Sequence, residues 1–168
     1  ALVMVDGKSR LKDVYPIKRK NDAIRAIQEH LALIRIRPES FRVDEGGEFK
    51  GESATGLIDL CISLGIRLEV VPPGEHEQHG IVEKANQTLT RMAAAMLMSA
   101  NLGREYWSYA LKYAAYADRY LSSSDDLPSP YRQWHGILEH QPRLTAFGTP
   151  LIYRQQEKAR QHKLDPRG

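Results

Sequence analysis

Phe41-Arg42-Val43-Asp44-Glu45-Gly46-Gly47-Glu48-Phe49 is the stretch whose reading decides the fold. Phe41-Arg42-Val43 reads as a short buried strand. The glycine-containing turn after it leaves the Asp44 carboxylate at the strand's C-terminal edge. Further on, Gln78-His79-Gly80-Ile81-Val82-Glu83-Lys84-Ala85-Asn86-Gln87-Thr88-Leu89 leads into a long helical pattern. Val82, Ala85, Leu89, Met92 and Met96 recur at three- and four-residue steps and predict its buried stripe. That places Glu83, Gln87 and Thr90 on the opposite side, with Lys84 and Arg91 at the margin, so Glu83 is expected to be accessible near the helix start. A carboxylate from a strand end and another from a helix start offer hard oxygen ligands with positions left for water and phosphate, as Mg²⁺-dependent phosphodiester chemistry requires. Taken singly, such an Asp is usually a turn residue and such a Glu a solvated one. The surrounding residues must therefore carry the argument.

Working outward, the periodicities alternate as in an α/β domain. A strand from Ala1 to Val5 turns through Asp6-Gly7-Lys8-Ser9 into a second from about Leu11 to Lys18. A helix follows with Asn21 or Asp22 as N-cap and Ala23, Ile24, Ile27, Leu31 and Ile34 on one face. Pro38 ends that segment before the strand carrying Asp44. Ser53 or Thr55 is expected to cap the next helix, with Leu57, Ile58, Cys61 and Leu64 inward and Gly65 closing it. Ile66 to Val71 reads as a strand halted by Pro72-Pro73-Gly74. Beyond the Glu83 helix, Leu102-Gly103 precedes another helix, roughly Glu105 to Leu121, rich in Ala and Tyr. Ser122 to Asp126 reads as a flexible connection, and Pro130, Pro142 and Pro150 predict irregular structure packed on the core. No internal repeat is apparent.

A chain of 168 residues can bury one sizeable core. A net charge of +3 with a sequence pI near 9.0 favours a polyanionic partner only mildly. Cys61 is the only cysteine, which excludes an internal disulfide and a cysteine-based zinc site within the chain, and fits a reducing compartment. No apolar run is long enough for a bilayer, and no charged-then-apolar leader opens the sequence, so neither a membrane partner nor secretion is expected. His76 and His79 are too few ligands for a structural zinc site, and Glu75 to His79 reads as a polar loop beside the site. Cys61 reads as a buried small hydrophobe. Trp107 and the tyrosines Tyr106, Tyr109, Tyr113, Tyr116 and Tyr120 read as helix packing or a dimer contact, and the basic Arg154 to Arg167 stretch as a solvated tail or a DNA arm.

Arg42 to Phe49 and Gln78 to Leu89 resemble the second and third acidic motifs of integrases from copia-type LTR retrotransposons. The flanks agree over nearly the whole chain. Val5-Asp6-Gly7-Lys8-Ser9-Arg10, with Lys20 after a strand, resembles the family's hairpin, and Tyr106-Trp107 its Phe-Trp. Ser129-Pro130-Tyr131 through Trp134-His135-Gly136, then Leu144 and Phe147-Gly148, resemble its downstream block. Two positions depart from the pattern: Glu45 and His79 stand where the family usually has Asn, and each puts a further titratable group beside the site.

The resemblance implies an RNase H-like α/β fold, a mixed β-sheet flanked by helices, with the first strand and its catalytic Asp lying upstream of residue 1. Asp6 matches the hairpin motif and is read as a turn residue, not as that acid. Residues 1–121 would form the catalytic core and 122–168 a linker and irregular segment leading out of it. The activity implied is joining of element DNA ends to target DNA by in-line phosphoryl transfer at a two-metal site for Mg²⁺ or Mn²⁺, with Asp44 and Glu83 as catalytic and metal-binding residues. Lys84, Asn86, Gln87 and Arg91 would contact DNA. A homo-oligomer in a eukaryotic nucleus, with a cytoplasmic particle stage, is the implied setting. A truncated or decayed copy that keeps the fold without catalysis is the alternative, as the start of the chain, Glu45 and His79 suggest. A different RNase H-like nuclease or a structural module is the third reading, against which the downstream block argues.

Overall fold

The computed structural model describes residues 1–19, 22–34, 36–44, 52–71, 76–122, 127–136 and 142–151. Strand β1 (Leu2–Val5) pairs antiparallel with β2 (Lys12–Tyr15), Leu2 opposite Tyr15 and Val5 opposite Lys12. Helix α1 (Ala23–Leu33) leads to β3 (Ser40–Asp44), and α2 (Glu52–Leu64) carries the chain over to β4 (Arg67–Val71). β4 lies parallel to β3, from Ser40 opposite Arg67 to Asp44 opposite Val71, since parallel neighbours need a crossover and α2 supplies it. Helices α3 (His76–Ser99), α4 (Trp107–Asp118) and α5 (Pro130–His135) complete the described elements. Antiparallel and parallel pairing are both present, as expected of a mixed sheet. Among the described residues they form two two-stranded ladders.

Strand alternation assembles these pieces. Leu2 and Met4 pack with Ile27 of α1, Leu57 and Cys61 of α2, and Phe41 and Val43 of β3. Val3, between them, faces the other way and packs with Val14, with Leu89 and Ala93 of α3, and with alanines of α4. The β1–β2 hairpin is thus covered on both faces by helices, a layered α/β arrangement. Ala110 and Ala114 are fully buried, and small side chains there let α4 come close to α3. Cys61 is buried, as a small hydrophobe should be, and burial pushes its thiol pKa up.

Several local expectations are corrected. α2 begins at Glu52, so Ser53 and Thr55 lie inside it and neither is its cap. Ile58 is exposed: the inward stripe passes through Leu57 and Cys61, one turn apart, leaving Ile58 on the flank. In α3, Val82 is exposed and Ala93 is buried, because the stripe follows 85, 89 and 93. The β2 strand stops at Tyr15, short of Lys18. A 3₁₀ turn, Arg104–Tyr106, precedes α4, which ends at Asp118. Pro130 starts a helix: it occupies the first turn of α5, where its missing N–H costs nothing, and the Ser129 hydroxyl accepts from the Arg132 N–H at 3.4 Å.

Gly65 and the segment around Gly148 show how the ends are fastened. At Gly65 (φ +66°), the Ile66 N–H donates to the Cys61 carbonyl at 2.9 Å and the Gly65 N–H to Ile62 at 3.1 Å, a Schellman closure that turns α2 into β4. Gly148 (φ +79°) crosses so near the end of α3 that a Cβ there would lie 2.5 Å from the Ala100 methyl. The neighbouring Phe147 joins the α3–α4 core and stacks on Tyr113, whose hydroxyl donates to the Thr145 carbonyl. Residues 142–151 are irregular in path, and the expectation that they pack on the core is met at Phe147 alone, the other nine being exposed.

A polar group at the edge of β2 ties the helical layers together. The Asp13 carboxylate accepts from Arg119, at the end of α4, and lies 3.4 Å from His30 Nδ1 of α1. The Tyr15 hydroxyl is 3.3 Å from the same nitrogen, and Lys12 Nζ pairs with Asp118 at 2.5 Å. Burial lowers the His30 pKa from its ordinary 6.5, outweighing the upward pull of Asp13, and Arg119 adds to the lowering. Tyr15 is pushed up to about 12 by burial and by Asp13, so it stays a donor.

Two outcomes follow from this packing. Leu89→Ala, at a site with no exposure, is expected to cost about 2–5 kcal/mol in urea unfolding, the usual cost of a large-to-small change in a core. His30 takes up a proton more readily unfolded than folded, so its contribution is present above pH 6.5 and is lost as the pH falls below that value. His30→Gln is expected to flatten stability against pH in that window; an unchanged slope in calorimetric melts would contradict the assignment.

Candidate active site and nucleic-acid face

Asp44 is the last residue of β3, opposite Val71 in the parallel ladder. Phe41 and Val43 enter the α1–α2 core, so the alternate positions Ser40, Arg42 and Asp44 share the other face of the strand. Val71, the partner of Asp44, is buried. The Asp44 side chain itself, and with it the distance between the two carboxylates, lies outside the described residues, as do Glu45 through Gly51.

α3 begins at His76, so the expected polar loop from Glu75 to His79 is corrected: His76 to His79 form the first turn of the helix. Glu83 therefore stands about two turns inside the helix. The His76 and His79 side chains lie outside the described residues. Glu83 is exposed, and its Oε1 accepts from Gln87 Nε2, one turn on, at 3.2 Å. Lys84, Asn86, Gln87 and Arg91 are all exposed, while Ala85, Leu89 and Ala93 bury the opposite stripe. The helix thus holds itself in the core and offers an acid, two amides and two cations to solvent. Among the described residues, no three His, Cys, Asp or Glu side chains cluster to hold a metal ion.

Asp6 is engaged in its turn. Its Oδ2 accepts from the Lys8 N–H at 3.1 Å, the Ser9 N–H at 2.6 Å and the Ser9 hydroxyl at 2.7 Å. Ser9 is buried, and its oxygen in turn accepts from the Leu11 N–H at 3.2 Å. One carboxylate organises the whole connection between β1 and β2, an Asx-type role.

A pairing that the sequence did not disclose lies beside Asp44. Arg42 donates through Nε at 3.1 Å and Nη2 at 2.8 Å to Glu69 Oε2, across the β3–β4 ladder. The bond from Arg42, helped by Arg67 and Ser40, holds the Glu69 carboxyl below the usual carboxylate range. Only the register, Arg42 opposite Glu69, makes these residues neighbours. The aromatic residues of α4 and the turn after it divide: Tyr113, Tyr116 and Tyr120 form a run of ring contacts reaching Tyr131, whereas Trp107 and Tyr109 remain exposed.

No protein-family model matches the chain. It is 28% identical over 155 residues to the "Retrovirus-related Pol polyprotein from transposon TNT 1-94" of Nicotiana tabacum, an alignment covering 88% of this chain and 11% of that protein. The chain therefore spans about a tenth of that relative's length. The fold matches a chain of the simian T-cell lymphotropic virus intasome in complex with PP2A regulatory subunit B56 gamma, with a TM-score of 0.65 and 21% identity over 92% of this chain and 53% of that one. It also matches the catalytic core domain of BIV integrase, with a TM-score of 0.59 and 21% identity over 77% of this chain and 81% of that one. The RNase H-like fold expected from the motifs is the fold of these integrase cores. In sequence the chain is similar to a transposon Pol polyprotein, and in fold to the catalytic core domain of an integrase.

Asp6→Ala is expected to destabilise the protein by about 2 kcal/mol, because it strands two backbone donors and a buried hydroxyl. Thermal unfolding checks this, and an unshifted midpoint would free Asp6 for another role.

Proposed function

We propose that the chain is the catalytic core through which a retrotransposon polyprotein binds DNA and joins element ends to a target by phosphoryl transfer. The observation that carries the reading is the exposed Glu83 on a core-anchored helix, together with Asp44 as the last residue of β3 in the β3–β4 parallel pair, in a fold shared with an integrase core. Both residues are hard oxygen donors, which suits Mg²⁺ or Mn²⁺. Those ions, when bound at Asp44 and Glu83, supply charge stabilisation to the phosphoryl group and raise the acidity of the attacking hydroxyl. Gln87 steadies the Glu83 carboxylate. Lys84 and Arg91 attract phosphates without reading sequence, and Asn86 and Gln87 offer amides to base edges or phosphates.

Holding two ions calls for three convergent carboxylates, and Asp6 is engaged elsewhere, so a strand outside residues 1–168 is the proposed source of the third. Functionally, residues 1–121 form the core and 122–168 the segment leading out, along with the basic Arg154 to Arg167 stretch, which lies outside the described residues. Exposed Trp107 and Tyr109 suit contact with a second copy, and the proposed setting is the nucleus, with a cytoplasmic particle stage. The alternative of a decayed copy is favoured by Glu45 and His79, which replace the family's usual Asn. No helix of the described residues is long and apolar enough to cross a membrane.

End-joining of labelled DNA duplexes with Mg²⁺ or Mn²⁺ decides between these readings. The 168-residue chain alone is expected not to join strands, and a longer chain with a preceding strand ending in Asp is expected to do so. In the longer chain, Asp44→Asn or Glu83→Gln should each reduce joining by about a hundredfold or more with little change in unfolding. Undiminished joining in either variant removes that residue from the site, and an inactive longer chain supports the decayed copy.

A further inference from the structure

Arg42, paired with Glu69 across the ladder, precedes Asp44 by two positions in β3, about 7 Å along the strand. Arg67 brings a second guanidinium to the same carboxylate, with Nη1 3.9 Å from Glu69 Oε1, and Ser40 adds its hydroxyl. Two cations thus share the one Glu69 carboxylate. Arg42 is 49% exposed and Arg67 76%, so neither is committed to the core. A guanidinium fork, a second guanidinium and a hydroxyl around one planar anion also form a set of donors suited to a phosphate.

Resting on the reading of the chain as a DNA-joining core, we propose that Arg42 and Arg67 form a phosphate-binding strip on the outer face of the β3–β4 ladder, with Glu69 as the internal anion that DNA displaces. Exposed pairs of this kind contribute little to stability, so exchanging the carboxylate for a phosphate is cheap. A phosphate on the polyanion also brings the release of condensed counterions, which the carboxylate does not. A DNA strand whose reacting phosphate sits at Asp44 has flanking phosphates within the span of an arginine side chain rooted two residues away. Glu69 then acts as a brake: it keeps the strip from holding stray anions, and it sets how strongly DNA must bind to open the pair.

The test is duplex DNA binding by the 168-residue chain, followed by fluorescence anisotropy across about 50 to 200 mM salt. Arg42→Gln is expected to weaken binding about fivefold and reduce the salt slope by about 1, with Arg42→Lys restoring the slope. Glu69→Gln is expected to tighten binding about fivefold, and the double variant to lose that gain, since the released cation is gone. Unchanged melting temperatures in all four variants separate this from a packing effect. If the chain binds DNA and Lys84→Gln weakens it while Arg42→Gln and Glu69→Gln change neither affinity nor slope, the strip is refuted and the DNA reading stands. If the unaltered chain shows no salt-dependent DNA affinity, both fall together.

Discussion

The β1–β2 hairpin is the element on which the rest of the molecule depends. Its residues alternate between two apolar clusters, Leu2 and Met4 toward α1 and α2, Val3 and Val14 toward α3 and α4. A slip of one residue in its register would exchange the two faces and present each helical layer with the wrong side chains. The turn that sets this register is governed by Asp6, whose single carboxylate oxygen satisfies three donors. Asp6 is therefore a constraint on folding, and the position of α3, with Glu83 on it, follows from that constraint.

α3 shows how a core decides which side chains of a helix reach solvent. Its inner stripe, Ala85, Leu89 and Ala93, is closed against the hairpin and α4, which fixes the rotation of the helix. With the rotation fixed, Glu83, Gln87, Lys84 and Arg91 have no choice but to face solvent. The far end of the same helix is pinned by the close crossing of Gly148 over Ala100. Placement of the acid and of the cations is thus decided by apolar packing on the other side of the helix.

Electrostatics follow two distinct patterns. At the edge of β2, Asp13, Arg119, Lys12 and Asp118 are part-buried and mutually compensated, and burial keeps His30 from taking up a proton easily. That arrangement joins layers. On the β3–β4 ladder, Glu69 is shared by two exposed arginines, Arg42 and Arg67.

Much of this was legible in the residues themselves. The order of strands and helices, the turn at Asp6, the closure at Gly65, the exposure of Glu83 and the buried state of Cys61 all follow from periodicity and turn chemistry, because those are local properties of a short window. Other features were decided only by the tertiary structure. Ile58 and Val82 are apolar and fall at the margins of their stripes, and which neighbours remain to cover them depends on helices distant in sequence. Pro130 looked like a breaker and proved to be a helix start, because Ser129 caps it and the Tyr131 N–H reaches the Arg119 carbonyl at 2.9 Å. The meeting of Arg42 with Glu69, and of Asp13 with His30 and Arg119, rests on pairing register and on packing around a sheet edge. A single sequence specifies periods and turns, but not which distant positions those periods bring face to face, since that is set by the joint packing of all the layers at once.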